Sequence, residues 1–301
     1  YETWRKTFLL QSVVASVVLL NVLVILRGAL VNGARAWLDM GPFRMQPSEF
    51  MKIAVVLFCA NLLSHRHRSV QISSIVLWPM IVALGVSAGL CALQKDFGGS
   101  LIFGGIVLVM MIIAGLPKRQ VFTTTVVLLV SGAFVLKFAG NASARMLAFM
   151  DLEGTKEDGG YQVYQSLLSI ANGGWSGTGI GSGTSKWGYV PLAYSDFIFS
   201  VIAEELGIFG SLMVIGGFLA LVVFGLQVAL SAPDTHGAFI AGGISAWFGV
   251  QALVNVGGVV GALPMTGLTL PFLSYGGSSL IASMAAAGLL LNVARAVKTS
   301  Q

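Results

Sequence analysis

Charge is the first thing this sequence lacks. Asp, Glu, Lys and Arg make up only 10% of its 301 residues, while 56% are hydrophobic; a soluble domain carries roughly 25% charged residues. Too little charge remains to cover a water-soluble fold, which excludes a soluble enzyme or binding domain. Cysteine is scarce as well. Cys59 and Cys91 both fall in apolar segments; they are too few for a disulfide framework or a zinc site and read as small packing residues. No G-x-x-x-x-G-K-[ST] string occurs. The glycine-rich run Gly173–Gly183 has no strand signal before it, so it reads as a tightly folded turn rather than a phosphate cradle. The net charge of +5 comes from bases scattered over short loops. Without a basic stripe or motif, no nucleic-acid partner is expected. Neither an initial methionine nor a signal peptide precedes Tyr1, the pattern expected of a fragment whose upstream helices are missing.

What the chain does have is long apolar runs. Eight are sized to cross a hydrocarbon core of about 30 Å: residues 7–27, 48–63, 72–93, 98–115, 121–139, 197–230, 237–260 and 274–294. They predict an all-α, polytopic transmembrane helical bundle. The second run is short and calls for a tilt, longer neighbours or an extension into its polar flank. Alternate loops then fall on two sides. Arg5, Lys6, Arg66, Arg68, Lys118, Arg119, Arg295 and Lys298 share one side, where the only acids are Glu2 and Asp234; by the positive-inside rule that side is cytoplasmic. The long loops 28–47 and 140–196, with nearly all the acids, fall on the other. Chemistry is therefore expected outside. The expected organisation is a single membrane domain over 1–301, with 140–196 as a large extracytoplasmic loop that carries a weak helical signal at 161–172. No internal repeat supports an inverted-repeat transporter.

Ionisable groups at membrane depth are costly and usually functional. One cluster runs Arg35-Ala-Trp37-Leu38-Asp39, then Arg44-Met-Gln46-Pro47-Ser48-Glu49, then Lys52. Pro47 suits a helix's first turn, and Glu49 and Lys52 share one face. They read either as an ion pair that eases insertion or as part of a phosphate site with Arg44. A second cluster, Gln94-Lys95-Asp96, ends in an acid that either caps the next helix or joins the site. The third runs from Lys186 to Asp196 and on to Glu204-Glu205. Asp196 stands at the mouth of a strongly apolar helix, as a cap or as a general base. The glutamates lie about 12 Å deeper along a helix, and adjacent positions diverge by about 100°, so at most one of them is expected to face a given cavity. Residues 261–279, including Ser274 and Tyr275, are too polar and too rich in Pro and Gly for a lipid-facing helix and suit a cavity wall.

These strings resemble one family. Asn32-Gly-Ala-Arg35-Ala-Trp37-Leu, Gln46-Pro-Ser-Glu49, Asp196-Phe-Ile-Phe-Ser-Val-Ile-Ala-Glu204-Glu205-Leu-Gly and Leu270-Pro-Phe-Leu-Ser274-Tyr-Gly-Gly-Ser-Ser look like the SEDS (shape, elongation, division, sporulation) glycosyltransferases, in order along almost the whole chain. Gln251-Ala-Leu-Val-Asn255-Val-Gly and Gly267-Leu-Thr269-Leu-Pro271 are closer to the FtsW branch than to the RodA branch. The resemblance implies a ten-helix fold whose first two helices are absent here. It also implies a multi-pass protein of the bacterial cytoplasmic (inner) membrane that polymerises lipid II on the extracytoplasmic face. An acceptor sugar 4-hydroxyl would attack the donor anomeric carbon with inversion, and undecaprenyl pyrophosphate would leave. It maps the catalytic carboxylate onto Asp196 and the important Trp and cavity cations onto Trp37, Arg44 and Lys52. Arg35, Gln46, Glu49, Asp96, Lys186, Ser274 and Tyr275 are counted with the substrate-binding candidates. It leaves room for a divalent cation (Mg or Mn) near Asp196, without a closed ligand set, and for no nucleotide or organic cofactor. A class B penicillin-binding protein (a transpeptidase) and other divisome membrane proteins are the implied partners. Leu192, Tyr194 and Lys95 depart from the family's usual Glu, His and Pro. A lipid II transporter and a non-catalytic cell-division scaffold are the competing readings.

Overall fold

The computed structural model describes residues 1–31, 33–41, 44–66, 75–138 and 140–299. Asn32, Arg68 and Ile72 lie outside the described residues, as does the side chain of Lys298. The helices are α1 (Thr7–Arg27), α2 (Pro47–His65), α3 (Leu77–Leu93), α4 (Phe97–Ile113), α5 (Lys118–Phe138), α6 (Gly140–Met150), α7 (Tyr161–Gly173), α8 (Ile198–Ser231), α9 (Thr235–Val259) and α10 (Gly277–Thr299). All but α6 and α7 coincide with the apolar runs. Five of them (α1, α2, α8, α9 and α10) are long and apolar enough to cross a membrane, and α3 and α4 are shorter apolar helices. The chain is a multi-pass helical membrane protein.

Both long loops hold more structure than their composition suggests. The loop 28–47 contains β1 (Ala29–Val31), β2 (Ala34–Asp39) and β3 (Arg44–Met45), antiparallel in the order β1-β2-β3. Ala29 stands opposite Trp37, Leu38 opposite Met45, and Asp39 opposite Arg44. In the loop 140–196, α7 falls where the helical signal lay, while α6 carried no such signal.

The chain forms two compact units. One comprises residues 1–131, 221–250 and 277–301; the other comprises 132–220 and 251–276. In the first, α2 is the inner helix, burying Met51, Ala54, Val56, Leu57, Cys59 and Leu63 and contacting α1, α3, α4 and α10. Outward residues such as Phe8, Leu19 and Leu26 on α1 are exposed and apolar, as lipid contact requires. Two buried amides tie the ends together: Gln94 Nε2 donates to both the Asn21 side-chain oxygen and its carbonyl at 3.1 Å. The Gln94 carbonyl accepts from Arg35 N at 2.9 Å, which fixes β2 against the end of α3.

The core of the second unit gathers Val190, Phe197, Phe199, Val259, Met265 and Leu270. The buried Ser166 hydroxyl on α7 donates to the Val259 carbonyl at 2.9 Å. The apolar run 197–230 is not one uninterrupted helix. Within α8, Gly207 has φ 64 and ψ −156, and a Cβ there would stand 2.5 Å from Gly177 N and 2.6 Å from the Trp175 carbonyl. Only glycine allows that left-handed break and that close approach together.

Candidate active site

In the second unit, Asp196 precedes α8 by two residues, partly exposed, in a turn that several neighbours hold. Its amide donates to the Leu192 carbonyl at 3.2 Å, and its own carbonyl accepts from Asn255 Nδ2 at 2.9 Å. Asn255 also donates to the Leu268 carbonyl at 2.6 Å, and Gln251, one helical turn earlier, to the Thr269 carbonyl at 2.7 Å. The sequence marked these amides only as signs of a family branch; their work is to hold two irregular segments in place. Ser274 completes the stitching: its hydroxyl donates to the Ser195 carbonyl and accepts from Leu270 N at 2.7 Å. Tyr275 N donates to the Tyr194 carbonyl at 2.9 Å. The two tyrosine rings meet edge-on at 5.7 Å, and both are mostly exposed.

Backbone strain concentrates at the same places. Lys95, Leu192 and Phe272 are the non-glycine residues with positive φ among those described, at 62°, 59° and 65°. Each costs roughly 1 to 3 kcal/mol and persists only where its surroundings impose it. They sit beside Asp96, Asp196 and Ser274 respectively. Lys95 cannot be replaced by the family's usual proline without changing that backbone, because proline fixes φ near −65°.

One residue of this site escaped the sequence reading. Arg145 on α6 is exposed, and its Nη1 donates to the Thr266 carbonyl at 2.8 Å. A Cβ placed on Gly267 (φ +73) would lie 3.2 Å and 3.4 Å from the Arg145 Nη2 and Nη1, and 3.4 Å from Asp196 Oδ2. Guanidinium and carboxylate therefore stand together, close against the Gly267 backbone. The signal available in the sequence was a lone base on a segment, Gly140–Met150, that has no acid.

Glu204 and Glu205 do not divide as expected. A single loop, the glycine-rich run and the residues after it, takes both of them. Glu204, 1% exposed, accepts from Thr184 N and Oγ1 at 3.0 and 2.8 Å on one oxygen, and from Ser185 N (3.0 Å) and Oγ on the other. Glu205 accepts from Gly181 N at 3.0 Å and from Lys186 Nζ at 2.7 Å. The 100° divergence is real, but the loop wraps the helix end, and the break at Gly207 lets its backbone come close. Its N–H groups do cradle anions, namely the protein's own carboxylates. Lys186 is thereby engaged with Glu205 rather than presented alone.

In the first unit, Pro47 opens α2 with Gln46 extended before it. Lys52 Nζ lies 2.8 Å from Glu49 Oε1, both are buried, and Nζ stands 5.2 Å from the centre of the Trp247 ring. Arg44 is exposed on β3, 3.9 Å from Asp39; Arg35 is exposed and Trp37 half-buried on β2. The pair Glu49–Lys52 is thus brought together, whereas Arg44 faces solvent. Asp96 caps α4: Oδ1 accepts from Gly99 N at 2.8 Å, while Oδ2 faces Gln46 Nε2 at 3.3 Å and the Ser48 hydroxyl at 3.5 Å. Burial pushes its carboxyl above the usual value, against the Gly99 N–H and the Lys52 charge, which pull it down. Among the described residues, no group of three or more His, Cys, Asp or Glu could hold a metal ion.

Fold and site together define a polytopic helical membrane protein with a carboxylate held at a partly exposed turn. Comparison gives its family. The family described as "Cell cycle protein" (FtsW, RodA and SpoVE) matches residues 1–299, and the chain belongs to that family. It is 37% identical over 298 residues to the "Probable peptidoglycan glycosyltransferase FtsW" of Geobacter metallireducens, covering 99% of this chain and 80% of that protein. It is 36% identical to "Stage V sporulation protein E" of Bacillus subtilis, covering 98% and 81%. Solved structures are similar as well. One, described as "Structural coordination of polymerization and crosslinking by a peptidoglycan synthase complex", gives a TM-score of 0.79 at 32% identity over 96% of this chain and 81% of that one. The Thermus thermophilus rod shape determining protein RodA gives 0.68 at 31%, over 95% and 78%.

Proposed function

We propose that this chain is a peptidoglycan glycosyltransferase that polymerises lipid II, with Asp196 as its base. The activity rests on family membership and on the names its relatives carry. The residue assignment rests on one observation: the Asp196 carboxylate lies in a partly exposed turn that Asn255, Ser274 and Tyr275 fix. In the proposed step the acceptor's 4-hydroxyl oxygen bonds to the donor's anomeric carbon, its proton passes to Asp196, and the bond to pyrophosphate breaks with its electron pair leaving. An α-linked donor becomes a β-linked product. By the resemblance, Arg44 and Lys52 are the proposed cations for the pyrophosphate; Arg44 is exposed, and Lys52 is buried against Glu49. Trp37, Gln46, Tyr275 and Lys186 remain with the substrate-binding set.

The bases at the loop ends support a cytoplasmic-membrane protein with this site outside. A class B penicillin-binding protein is the proposed partner, because a similar structure describes polymerisation coordinated with crosslinking.

Asp196→Asn decides the matter. Purified and supplied with lipid II in proteoliposomes, the variant should keep its thermal stability, since Asn replaces Asp at a turn with little penalty. It should lose roughly 100-fold or more of its polymer yield. Full polymerisation by the Asn variant would remove Asp196 from the chemistry; lipid II movement without polymer from the wild type would favour a transporter.

A further inference from the structure

We propose that a small cleft in the second unit binds the N-acetyl group of the acceptor sugar, the sugar whose 4-hydroxyl passes its proton to Asp196. The inference rests on the reading of Asp196 as the base.

The cleft lies between α6, the start of α7 and the segment 261–265. Phe149, Leu152, Val163 and Met265 give it an apolar wall, and Arg145 and Gln162 are its polar side chains. Its room for water-sized atoms is about 60 Å³; one water takes roughly 10 to 15 Å³ by that measure, so about four to six non-hydrogen atoms fit. That is the size of an acetamido group, whereas an isoprenoid chain or a whole sugar ring is too large. The chemistry matches as well. The methyl suits the apolar wall, the carbonyl accepts from a guanidinium N–H, and the amide N–H donates to the Gln162 side-chain oxygen. Water fits worse, since it needs polar partners on several sides and most of the lining is apolar.

The cleft and Asp196 share a border. Met265 and Arg145 line the cleft, and Arg145 Nη1 donates to the next carbonyl, that of Thr266, at 2.8 Å. One residue further on, a Cβ built on Gly267 would lie 3.2 Å from Arg145 Nη2 and 3.4 Å from Asp196 Oδ2. Arg145 thus reaches from the cleft to the flank of the carboxylate. Peptidoglycan sugars are acetylated on the nitrogen at C2, and C2 is separated from C4 by a single ring atom. A sugar that offers its 4-hydroxyl to Asp196 carries its acetamido group a short way off, and the neighbouring cleft is placed to take it. Holding C2 there stops the ring from turning about its 4-oxygen and keeps the hydroxyl aimed, the kind of positioning that lowers a bimolecular barrier. The cleft binds and orients, and it exchanges no proton.

The test uses lipid II in which one acetyl group is replaced by propionyl, either on the terminal sugar with the free 4-hydroxyl or on the sugar that carries pyrophosphate. Polymer formation in proteoliposomes gives kcat/KM for each lipid, and binding is measured alongside. The wild type is expected to favour acetyl over propionyl on the terminal sugar roughly 10-fold or more, the usual effect of one methylene in a filled pocket. It should be indifferent to the same change on the other sugar. Leu152→Ala and Val163→Ala each enlarge the cleft and should cut the preference to about threefold or less; should one fail to fold, the other decides, and the wild-type comparison needs no variant. The proposal is overturned if the wild type uses both terminal-sugar lipids equally, or if the preference follows the pyrophosphate-linked sugar. It is also overturned if the preference survives in the folded cleft variants, which would make the cleft a gap in packing. Asp196→Asn should bind the lipids with the wild-type preference and make no polymer. If it polymerises, the reading of the base fails, while the binding preference still judges the cleft.

Discussion

Glu49 and Glu204 answer the same problem, an acid in a helix that crosses an apolar layer, in opposite ways. Glu49 takes a cation from its own helix: Lys52, one turn on, meets Oε1 at 2.8 Å, while Oε2 is buried with no hydrogen-bond partner. Glu204 takes no cation. Four N–H and O–H groups of Thr184 and Ser185 saturate both its oxygens. The first arrangement neutralises charge and leaves hydrogen bonding incomplete; the second satisfies hydrogen bonding and keeps the charge. A buried ion pair gains little net stability but is costly to break from one side. A carboxylate filled with donors serves as a structural anchor, here for the loop that carries Lys186, Trp187 and Tyr189.

Two substitutions sharpen that contrast. Lys52→Met should be the more damaging, about 3 to 5 kcal/mol, because it strands the Glu49 charge in the core; adding Glu49→Gln should recover most of the loss. Thermal unfolding in matched detergent measures both, and equal stability for the single and double variants would show that the pair is not coupled. Glu204→Gln should cost about 1 to 3 kcal/mol, since the new amide turns N–H groups toward N–H donors. Its signature should be local, namely faster proteolysis within 177–188 before global unfolding. Cleavage at the wild-type rate would mean that the loop does not depend on Glu204.

The difference between these two sites also explains what could be read from the sequence. The eight apolar runs fall on helices because long hydrophobic stretches need nothing but their own residues to be recognised. The Glu49–Lys52 pair was visible for a similar reason, its spacing being a local fact. The strands of 29–45 were not: they are 2 to 6 residues long, and a buried Gln94 from another element anchors them. Nor was the capture of both glutamates by one loop, which depends on the helix break at Gly207. Asp196 could be singled out because an acid at the start of an apolar helix stands out. Arg145 could not, because its bond to the Thr266 carbonyl joins positions 121 apart. Long-range convergence of single residues leaves no periodic trace.

The smallest expected effect is the most useful discriminator for the first unit. Asp96 is an α4 cap by geometry and also a substrate-binding candidate. Because burial raises its carboxyl pKa, the folded protein holds that proton more tightly than the unfolded chain. Stability from this group is therefore greatest at low pH and declines as pH rises above the ordinary value of 3.8. Asp96→Asn keeps an oxygen for Gly99 N–H, caps as well as Asp, and removes the titration. It should change stability at neutral pH by less than about 1 kcal/mol and flatten the slope just above pH 3.8. Asp96→Ala loses the cap and should cost about 1 kcal/mol. Polymer yield from the Asn variant is expected near the wild-type level. A large loss of lipid II turnover in a stable Asn variant would mean that the carboxylate, and not the cap, is what the site uses, and would move Asp96 from the scaffold to the substrate.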